Sequence, residues 1–262
     1  MKADALLVAE GVRKAFGGVT AVDIERFSVN EGEIVALIGP NGAGKTTFFN
    51  VLTGFERADM GTWSFAGRPL AGKPAFRVAR AGMVRTFQIP KALARLSVLE
   101  NMMLAAPAQP GERALAAMLR PVWRSRERAV TSRAREILAW IGLDSMERDF
   151  AGTLSGGQRK LLELARALMT EPRLLMLDEP MAGVNPVLAE QLLLRLRELR
   201  DGGMTLLFVE HDMDVVARIA SVVVCMAEGR VIARGTAAEV ASTSAVIDAY
   251  LGSRHDRLGG PP

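Results

Sequence analysis

The sequence predicts an α/β protein whose central sheet is mainly parallel. Four short runs rich in Val, Ile and Leu are separated by longer stretches with helical spacing, and this pattern is typical of α/β proteins. The first three runs lack polar alternation, as expected for parallel strands that helices cover on both faces. Residues 90–153 contain helix signals without a strong strand signal. We therefore predict an α/β core that carries an inserted helical subdomain.

The strand runs are, in chain order, EIVALIG at 33–39, RLLMLDE at 173–179, MTLLFVEH at 204–211 and SVVVCMAEGRVIARG at 221–235. The last run is predicted to be a hairpin that turns at Glu228-Gly229. In the helical region, Ser97 and Glu100 form a capping box ahead of NMMLAA. A second helix is expected over residues 124–141, before Gly142.

Domain boundaries follow from these elements. We expect a single domain over residues 1–252, with its core at about 1–89 and 170–252 and a helical subdomain at about 90–169. The final residues, 253–262, are rich in Gly, Pro and charge. They are predicted to form a flexible tail.

Composition limits the class of protein. The 262 residues are 49% hydrophobic and 24% charged, which describes a globular chain able to bury a core. The net charge of +4 comes from mixed signs along the chain, so we expect no nucleic-acid partner. The single cysteine, Cys225, is expected to be a buried strand thiol. The longest apolar runs fall well short of the roughly 20 residues of a membrane span, and MKADALLVAE lacks a secretory signal's features. A cytoplasmic location is expected.

The stretch IGPNGAGKTTFFN at 38–50 lies between a strand run and a helical one, and it matches G-x-x-x-x-G-K-[ST]. Gly39, Gly42 and Gly44 allow positive φ and let backbone N–H groups approach phosphate oxygens. Lys45 can reach the β- and γ-phosphates, and Thr46 offers a hydroxyl to Mg²⁺. The alternative, a glycine turn with a solvated lysine, does not explain the flanking strand and helix. We predict a nucleoside triphosphate site lined by Gly39, Pro40, Asn41, Gly42, Ala43, Gly44, Lys45, Thr46 and Thr47.

The run RLLMLDEP ends in two carboxylates. Asp178 is expected at the carboxyl edge of a buried strand, where α/β sheets hold their ligands, and it would reach Mg²⁺ through water. Glu179 is a candidate general base for the attacking water, a role that typically contributes about 10²- to 10⁴-fold. An isolated LDE is more often only a strand end. Together with the phosphate loop, it predicts a catalytic pair.

The stretch TLSGGQRKLLELARALM at 153–169 predicts a second anion-binding helix end. Ser155 is a good N-cap residue, and Gly156 and Gly157 leave the first-turn N–H groups bare. The following helix has an apolar stripe formed by Leu161, Leu164, Ala165 and Leu168. A helix cap alone is the simpler alternative.

With the two preceding motifs, LSGGQ at 154–158 makes the chain resemble the ATP-binding cassette (ABC) ATPases of transporters, from about residue 6 to 252. The resemblance implies a P-loop NTPase (RecA-like) core with a mainly parallel sheet, an antiparallel β subdomain and an inserted α-helical subdomain. It also implies ATP and Mg²⁺ as cofactors and a head-to-tail dimer that forms two sites at once. In that dimer, the ATP held by one subunit is covered by the partner's residues at the positions of Ser155, Gly156, Gly157 and Gln158.

The resemblance assigns roles to further residues. Phe16 corresponds to the aromatic residue that stacks on adenine, Gln88 in VRTFQ to the glutamine that senses Mg²⁺ and water, and His211 to the histidine that contacts the γ-phosphate. The alternative for Phe16 and His211 is that they fill the core. The implied catalytic set is Lys45, Gln88, Glu179 and His211, and the implied metal set is Thr46, Gln88 and Asp178.

One position departs from the family pattern. Asn185 stands where many relatives have Asp in the loop after the catalytic Glu. Asn185 and Pro186 are also a good N-cap and first-turn pair for the helix that follows. We interpret the segment as both cap and dimer-contact loop, and the contact role stays open.

Several stretches narrow the resemblance: VRTFQIP, a helical insert around 105–130, AGVNP, VEHDMDVV and VIDAYLG. Together they look like the ATPase of branched-chain amino acid importers, a group that includes urea and amide importers. Lipopolysaccharide-export ATPases are one alternative. A second is a soluble ABC ATPase that acts on ribosomes or DNA, and a third is a small-molecule kinase. The expected partners are a second ATPase subunit, identical or related, permease subunits and, indirectly, a periplasmic binding protein. The expected location is peripheral, on the inner face of the plasma membrane.

The insert region RPVWRSRERAVTSRAREI at 120–137 is rich in arginine. A solvated helical face is the simpler interpretation. Contact with anionic lipid headgroups or a membrane subunit is the alternative, since each basic residue near a membrane surface contributes about 1 kcal/mol.

Overall fold

The computed structural model describes residues 5–86, 92–107 and 120–255. The chain divides into two compact units. The first comprises Met1–Arg85, Arg173–Pro180 and Leu196–Pro262, and the second comprises Thr86–Pro172 and Met181–Arg195. All the strands of the described residues belong to the first unit, and the helices between Val98 and Leu168 belong to the second.

The described residues form ten strands. In chain order these are β1 (Ala5–Phe16), β2 (Val19–Asn30), β3 (Ile34–Ile38), β4 (Met60–Phe65), β5 (Arg68–Pro69), β6 (Met83–Arg85), β7 (Leu174–Asp178), β8 (Thr205–Val209), β9 (Val222–Ala227) and β10 (Arg230–Gly235). They make two sheets. A four-stranded sheet has the order β2-β1-β4-β5, and a six-stranded sheet has the order β10-β9-β3-β8-β7-β6.

The larger sheet is mainly parallel, as predicted. Strand β3 pairs in parallel with β8 and β9, and β7 pairs in parallel with β6 and β8. Strands β3, β7 and β8 are buried along their whole length, which explains why their sequences lack polar alternation. Strands β9 and β10 form the predicted antiparallel hairpin. The smaller sheet is antiparallel throughout.

Nine α-helices lie in the described residues. They are α1 (Lys45–Leu52), α2 (Ala75–Arg80), α3 (Val98–Ala105), α4 (Arg120–Ile141), α5 (Gly156–Leu168), α6 (Pro186–Asp201), α7 (Met213–Ile219), α8 (Ala237–Ala241) and α9 (Ser244–His255). Helix α4 begins four residues before the predicted position 124, and it ends before Gly142 as predicted. Helix α9 continues to His255, past the predicted start of the tail at 253. The rest of that tail lies outside the described residues.

Helix α1 packs in the core of the first unit. Phe48, Phe49, Val51 and Leu52 of this helix are fully buried, in one apolar cluster with residues of both sheets. The Phe48 ring contacts Phe27 of β2 edge-on at 5.1 Å between centroids, a favourable aromatic geometry. This packing holds the start of α1 in a fixed place, because the helix follows directly from the turn after β3.

The second unit contains two capping boxes. Ser97 Oγ accepts from Glu100 N at 3.2 Å, and Glu100 Oε2 accepts from Ser97 N at 2.7 Å, which confirms the predicted start of α3. The buried Asn101 side chain then accepts from Leu93 N and donates to the carbonyls of Leu93 and Ser97. These bonds order the turn ahead of α3.

The arginine-rich helix α4 carries local ion pairs. Arg135 contacts Glu147 at 2.8 Å and Arg133 contacts Glu136 at 3.4 Å. Both arginines are more than half exposed, so the pairs are worth little for stability and agree with a solvated face. None of the helices in the described residues is both long enough and apolar enough to span a membrane.

Candidate functional site

The candidate site residues of the first unit gather at one edge of the larger sheet. The phosphate loop follows β3, and His211 comes shortly after β8. Asp178 is the last residue of β7 and Glu179 follows it, while Arg85 is the last residue of β6. These four strands are consecutive neighbours in the sheet, and parallel strands end at the same edge. Asp178 and Leu37 both pair with Val209 in the strand register. The sheet therefore brings motifs that are far apart in sequence to one edge, and the carboxyl edge of such a sheet is where α/β proteins hold their ligands.

The loop between β3 and α1 has the backbone that the glycines predict. Gly39, Gly42 and Gly44 all have positive φ, at 146°, 83° and 94°. A Cβ at Gly39 would lie 2.1 Å from the Met226 carbonyl oxygen, and one at Gly44 would lie 2.1 Å from the Ala21 carbonyl oxygen. No side chain larger than hydrogen fits at either position. Gly44 is also the N-cap of α1 and supplies no side-chain cap, so this helix end can receive an anion.

Lys45 lies over the loop. Its ammonium Nζ donates to the carbonyl oxygens of Gly39 at 2.7 Å and Pro40 at 2.9 Å, and the residue is buried. Burial lowers the pKa of Lys45, and the nearby Glu179, Cys225 and Asp178 partly oppose that shift. The charge of Lys45 is therefore held among the loop carbonyls, at the place where phosphate oxygens are expected.

Asp178 forms a buried ion pair that the sequence did not reveal. Its Oδ2 lies 2.6 Å from Arg85 Nη2, and both side chains are only 5% exposed. The same guanidinium donates through Nη1 to Asn50 Oδ1 of α1 at 2.6 Å, and it lies over the Phe49 ring at 5.4 Å. Arg85 thus connects β6, β7 and the phosphate-loop helix. The sequence feature that could have indicated this ion pair is a charged residue, Arg85, in the short strand sequence MVR, directly before the TFQ segment.

Glu179 and His211 lie at adjacent strand ends. Glu179 has φ of 48°, which is unusual for a non-glycine residue and costs about 1–2 kcal/mol, and its N–H donates to the Val209 carbonyl. The His211 side chain is 64% exposed, with Nδ1 3.9 Å from the buried Glu210 carboxylate. The core-filling alternative for His211 is wrong. Strain at Glu179 is the kind that accumulates at functional positions.

Phe16 ends β1 and is 47% exposed, so the core-filling alternative for Phe16 is also wrong. The Lys14 ammonium lies 4.8 Å from the centre of its ring. The β1–β2 hairpin closes at Phe16–Val19, and nearby Ala21 of β2 touches the phosphate loop at Gly44. The ring is therefore an accessible aromatic surface on a strand that borders the loop.

The LSGGQ segment lies in the second unit and has the predicted cap. Ser155 Oγ accepts from Gln158 N at 3.2 Å, and Gln158 Oε1 accepts from Ser155 N at 2.9 Å. The predicted apolar stripe of α5 is buried. A Cβ at Gly157 would lie 2.6 Å from Leu188 Cδ1 of α6, and Lys160 Nζ donates to the Ala182 carbonyl. Helix α5 is thus tied to the segment before α6.

Asn185 is confirmed as a helix cap, because its Oδ1 accepts from Leu188 N at 2.9 Å and α6 begins at Pro186. Thr46 is exposed in the first turn of α1. Gln88 lies outside the described residues. No group of three or more His, Cys, Asp or Glu side chains in the described part of the chain could hold a metal ion by itself.

Comparison with known proteins finds relatives that are similar along nearly the whole chain. A family described as ABC transporter matches residues 23–182. The chain is 41% identical over 253 residues to the probable branched-chain amino acid transport ATP-binding protein LivG of Archaeoglobus fulgidus, covering 97% of this chain and 98% of the relative. It is 39% identical over 249 residues to the high-affinity branched-chain amino acid transport ATP-binding protein BraF of Pseudomonas aeruginosa, covering 94% and 98%.

A solved structure is similar over the same length. The crystal structure of the ADP conformation of an ATP-binding cassette of an ABC transporter aligns with a TM-score of 0.80 at 36% identity, covering 95% of this chain and 99% of that one. The similarity therefore spans both compact units.

Proposed function

The chain belongs to the ABC transporter family, and from this premise we propose that it is the ATP-hydrolysing subunit of an importer of branched-chain amino acids. The observation that carries the ATPase activity is the gathering of the phosphate loop, the LDE pair and His211 at neighbouring strand ends. The cargo rests on full-length relatives whose names specify branched-chain amino acid transport.

The donor set fits Mg²⁺ held partly by the nucleotide. Magnesium prefers oxygen ligands and is usually bound by one or two protein oxygens together with phosphates and water. Thr46 offers a hydroxyl at the exposed start of α1, and Asp178 offers one carboxylate at the end of β7. Bound there, the ion would neutralise charge that develops on the β- and γ-phosphates.

The residues of the chain then divide the catalytic work. The N–H groups of the loop at 39–47 and the Lys45 ammonium hold the phosphates, and the Phe16 ring stacks on the adenine. Glu179 accepts the proton of the attacking water, and His211 donates a hydrogen bond to the γ-phosphate. The direction of attack is in line with the bond that breaks. Gln88 is proposed to sense water and metal from the segment after β6.

Pairing with a second ATPase subunit completes the site. The capped start of α5 presents Ser155 and two glycines whose N–H groups suit a phosphate. We propose that this helix end closes over the ATP held by a partner, which is a copy of this chain or a related one. Closure is transmitted to permease subunits, and a periplasmic binding protein delivers the solute. The subunit would work at the cytoplasmic face of the membrane.

The ATPase mechanism is tested by Glu179→Gln. This substitution keeps the size of the side chain and removes the base, so we expect ATP hydrolysis to fall at least 100-fold while ATP is still bound. The bound form should sediment as a dimer, because closure precedes hydrolysis. A monomer that hydrolyses ATP at the parent rate would contradict the mechanism.

The cargo is tested separately. The chain is assembled with its permease and binding protein in proteoliposomes, and uptake of labelled leucine and urea is measured with ATP inside. We expect leucine uptake that Glu179→Gln abolishes. Urea uptake without leucine uptake would reject the branched-chain assignment and leave the ATPase assignment intact.

A further inference from the structure

Asp178 and the phosphate-loop helix are joined by one buried side chain. Arg85 Nη2 contacts Asp178 Oδ2 at 2.6 Å, and Nη1 contacts Asn50 Oδ1 at 2.6 Å. The two contacts use the two ends of one planar guanidinium, which matches two acceptors in fixed directions as a lysine cannot. The Phe49 ring under the guanidinium limits its orientation further.

Two of the residues proposed to serve the metal lie on different elements. Thr46 is in the first turn of α1, and Asp178 ends β7. Asn50 is one helical turn after Thr46, on the same helix. The contact of Arg85 with both Asn50 and Asp178 therefore links the helix that carries one donor to the strand that carries the other.

We propose that Arg85 is a positioning residue for magnesium-nucleotide binding: by bridging Asn50 and Asp178, it fixes the separation of Thr46 and Asp178, two of the proposed metal residues, before the nucleotide arrives. The inference rests on the proposed function, since it assumes that Thr46 and Asp178 serve the metal. It assigns to Asn50 a role that no phosphate-loop motif includes. Partners that orient metal ligands typically contribute about 10- to 100-fold to metal affinity.

A purely electrostatic role makes a different prediction. If Arg85 only neutralised the buried carboxylate, the contact with Asn50 would be irrelevant, and a lysine at position 85 would be sufficient. If the bridge matters, Asn50→Ala is harmful although it leaves the ion pair with Asp178 intact. Arg85→Lys is harmful as well, because one ammonium replaces two separated donors.

The experiment measures binding of a fluorescent ADP analogue with Mg²⁺ and with EDTA. The dissociation constant in EDTA divided by the dissociation constant in Mg²⁺ measures the metal-dependent part of affinity. ADP is used because it avoids both hydrolysis and ATP-driven pairing. We expect Asn50→Ala and Arg85→Lys to lower this ratio about tenfold, with the affinity in EDTA changed less than about threefold. Arg173→Met is the matched control, because Arg173 forms an exposed ion pair with Glu31 in the same unit, and we expect it to leave the ratio unchanged.

The outcomes separate the two levels of the account. A parent protein that binds the analogue equally well with Mg²⁺ and EDTA would contradict the proposed metal donors. A normal parent ratio that Asn50→Ala leaves unchanged would overturn the bridge, whatever Arg85→Lys does. An equal loss of affinity in both conditions would also overturn it, because that is the effect of a damaged fold. Thermal unfolding of each variant identifies any that does not fold. If Arg85→Lys does not fold, the result for Asn50→Ala alone decides.

Discussion

Gly44 and Gly42 offer a matched pair of substitutions in the phosphate loop. Both residues have positive φ, at 94° and 83°. A Cβ at Gly44 would lie 2.1 Å from the Ala21 carbonyl oxygen, whereas a Cβ at Gly42 has no atom within 4 Å. Gly44→Ala therefore combines backbone strain with a collision against backbone, and Gly42→Ala brings the strain alone.

The expected losses of stability and of hydrolysis rate follow from that difference. The left-handed conformation costs a non-glycine residue about 1–2 kcal/mol, which both variants share. Real Cβ atoms essentially never come closer than 3.0 Å to such a neighbour, so Gly44→Ala must displace the loop by almost 1 Å. Overpacking of this kind adds about 1–3 kcal/mol, and a 1 Å misplacement of a reacting group costs about 100-fold in rate.

The assay is steady-state ATP hydrolysis together with urea unfolding. We expect Gly44→Ala to reduce kcat/KM about 100-fold and to lower the free energy of unfolding by about 2–5 kcal/mol. Gly42→Ala should stay within about 30-fold of the parent, since its strain of at most about 2 kcal/mol corresponds to a factor of about 30. Equal losses in the two variants would refute the argument that the contact with Ala21 determines the effect.

Three further predictions follow from exposure, capping and burial. His211→Ala should leave the free energy of unfolding within about 0.5 kcal/mol, because the side chain is 64% exposed, while hydrolysis falls about 100-fold; urea unfolding and turnover measure the two effects. Ser155→Ala and Ser97→Ala should each lower the free energy of unfolding by about 1 kcal/mol through loss of a cap. Only Ser155→Ala should also impair hydrolysis and ATP-driven pairing. Similar losses of activity in both variants would argue against a role of Ser155 beyond capping. Burial raises the pKa of the Cys225 thiol from 9.0 to about 11 and that of the Tyr250 hydroxyl from 10.0 to about 12. The folded state thus holds these protons more tightly, so the free energy of unfolding should be unaffected by these groups below pH 9 and should fall as the pH rises towards 12. Urea unfolding from pH 8 to 11 measures this change. A rise in the free energy of unfolding over that range would contradict the prediction.

The sequence predicted the buried strands because their physical cause is local. Runs such as EIVALIG and RLLMLDE lack polar alternation, and the structure buries them on both faces. Capping at Ser97 and Ser155 is local as well, since each box joins residues three apart. The antiparallel sheet came only from the family resemblance. Its long strands β1 and β2 pair across Gly17-Gly18, a hairpin signal that the apolar runs do not contain.

The bridge at Arg85 could not be predicted in the same way. Its contacts depend on β6 lying beside β7 and on α1 packing near both, and strand order is not written in local periodicity. The motif at 38–50 specified the loop and its glycines, but not that Asn50 would accept from an arginine 35 residues away. Long-range polar contacts of this kind follow from tertiary packing. They are visible only once the sheet is assembled.

The central claim is that the loop after β3 binds the phosphates of ATP through its N–H groups and Lys45. Calorimetric titration of the chain with ATP and Mg²⁺ tests this most directly, with Lys45→Ala as the variant and Lys73→Ala, an exposed lysine of the same unit, as the control. We predict saturable binding by the parent and the control, and at least a tenfold weaker affinity for Lys45→Ala, which corresponds to about 1.4 kcal/mol. Equal affinity of the parent and Lys45→Ala, or no binding by the parent, would contradict the claim.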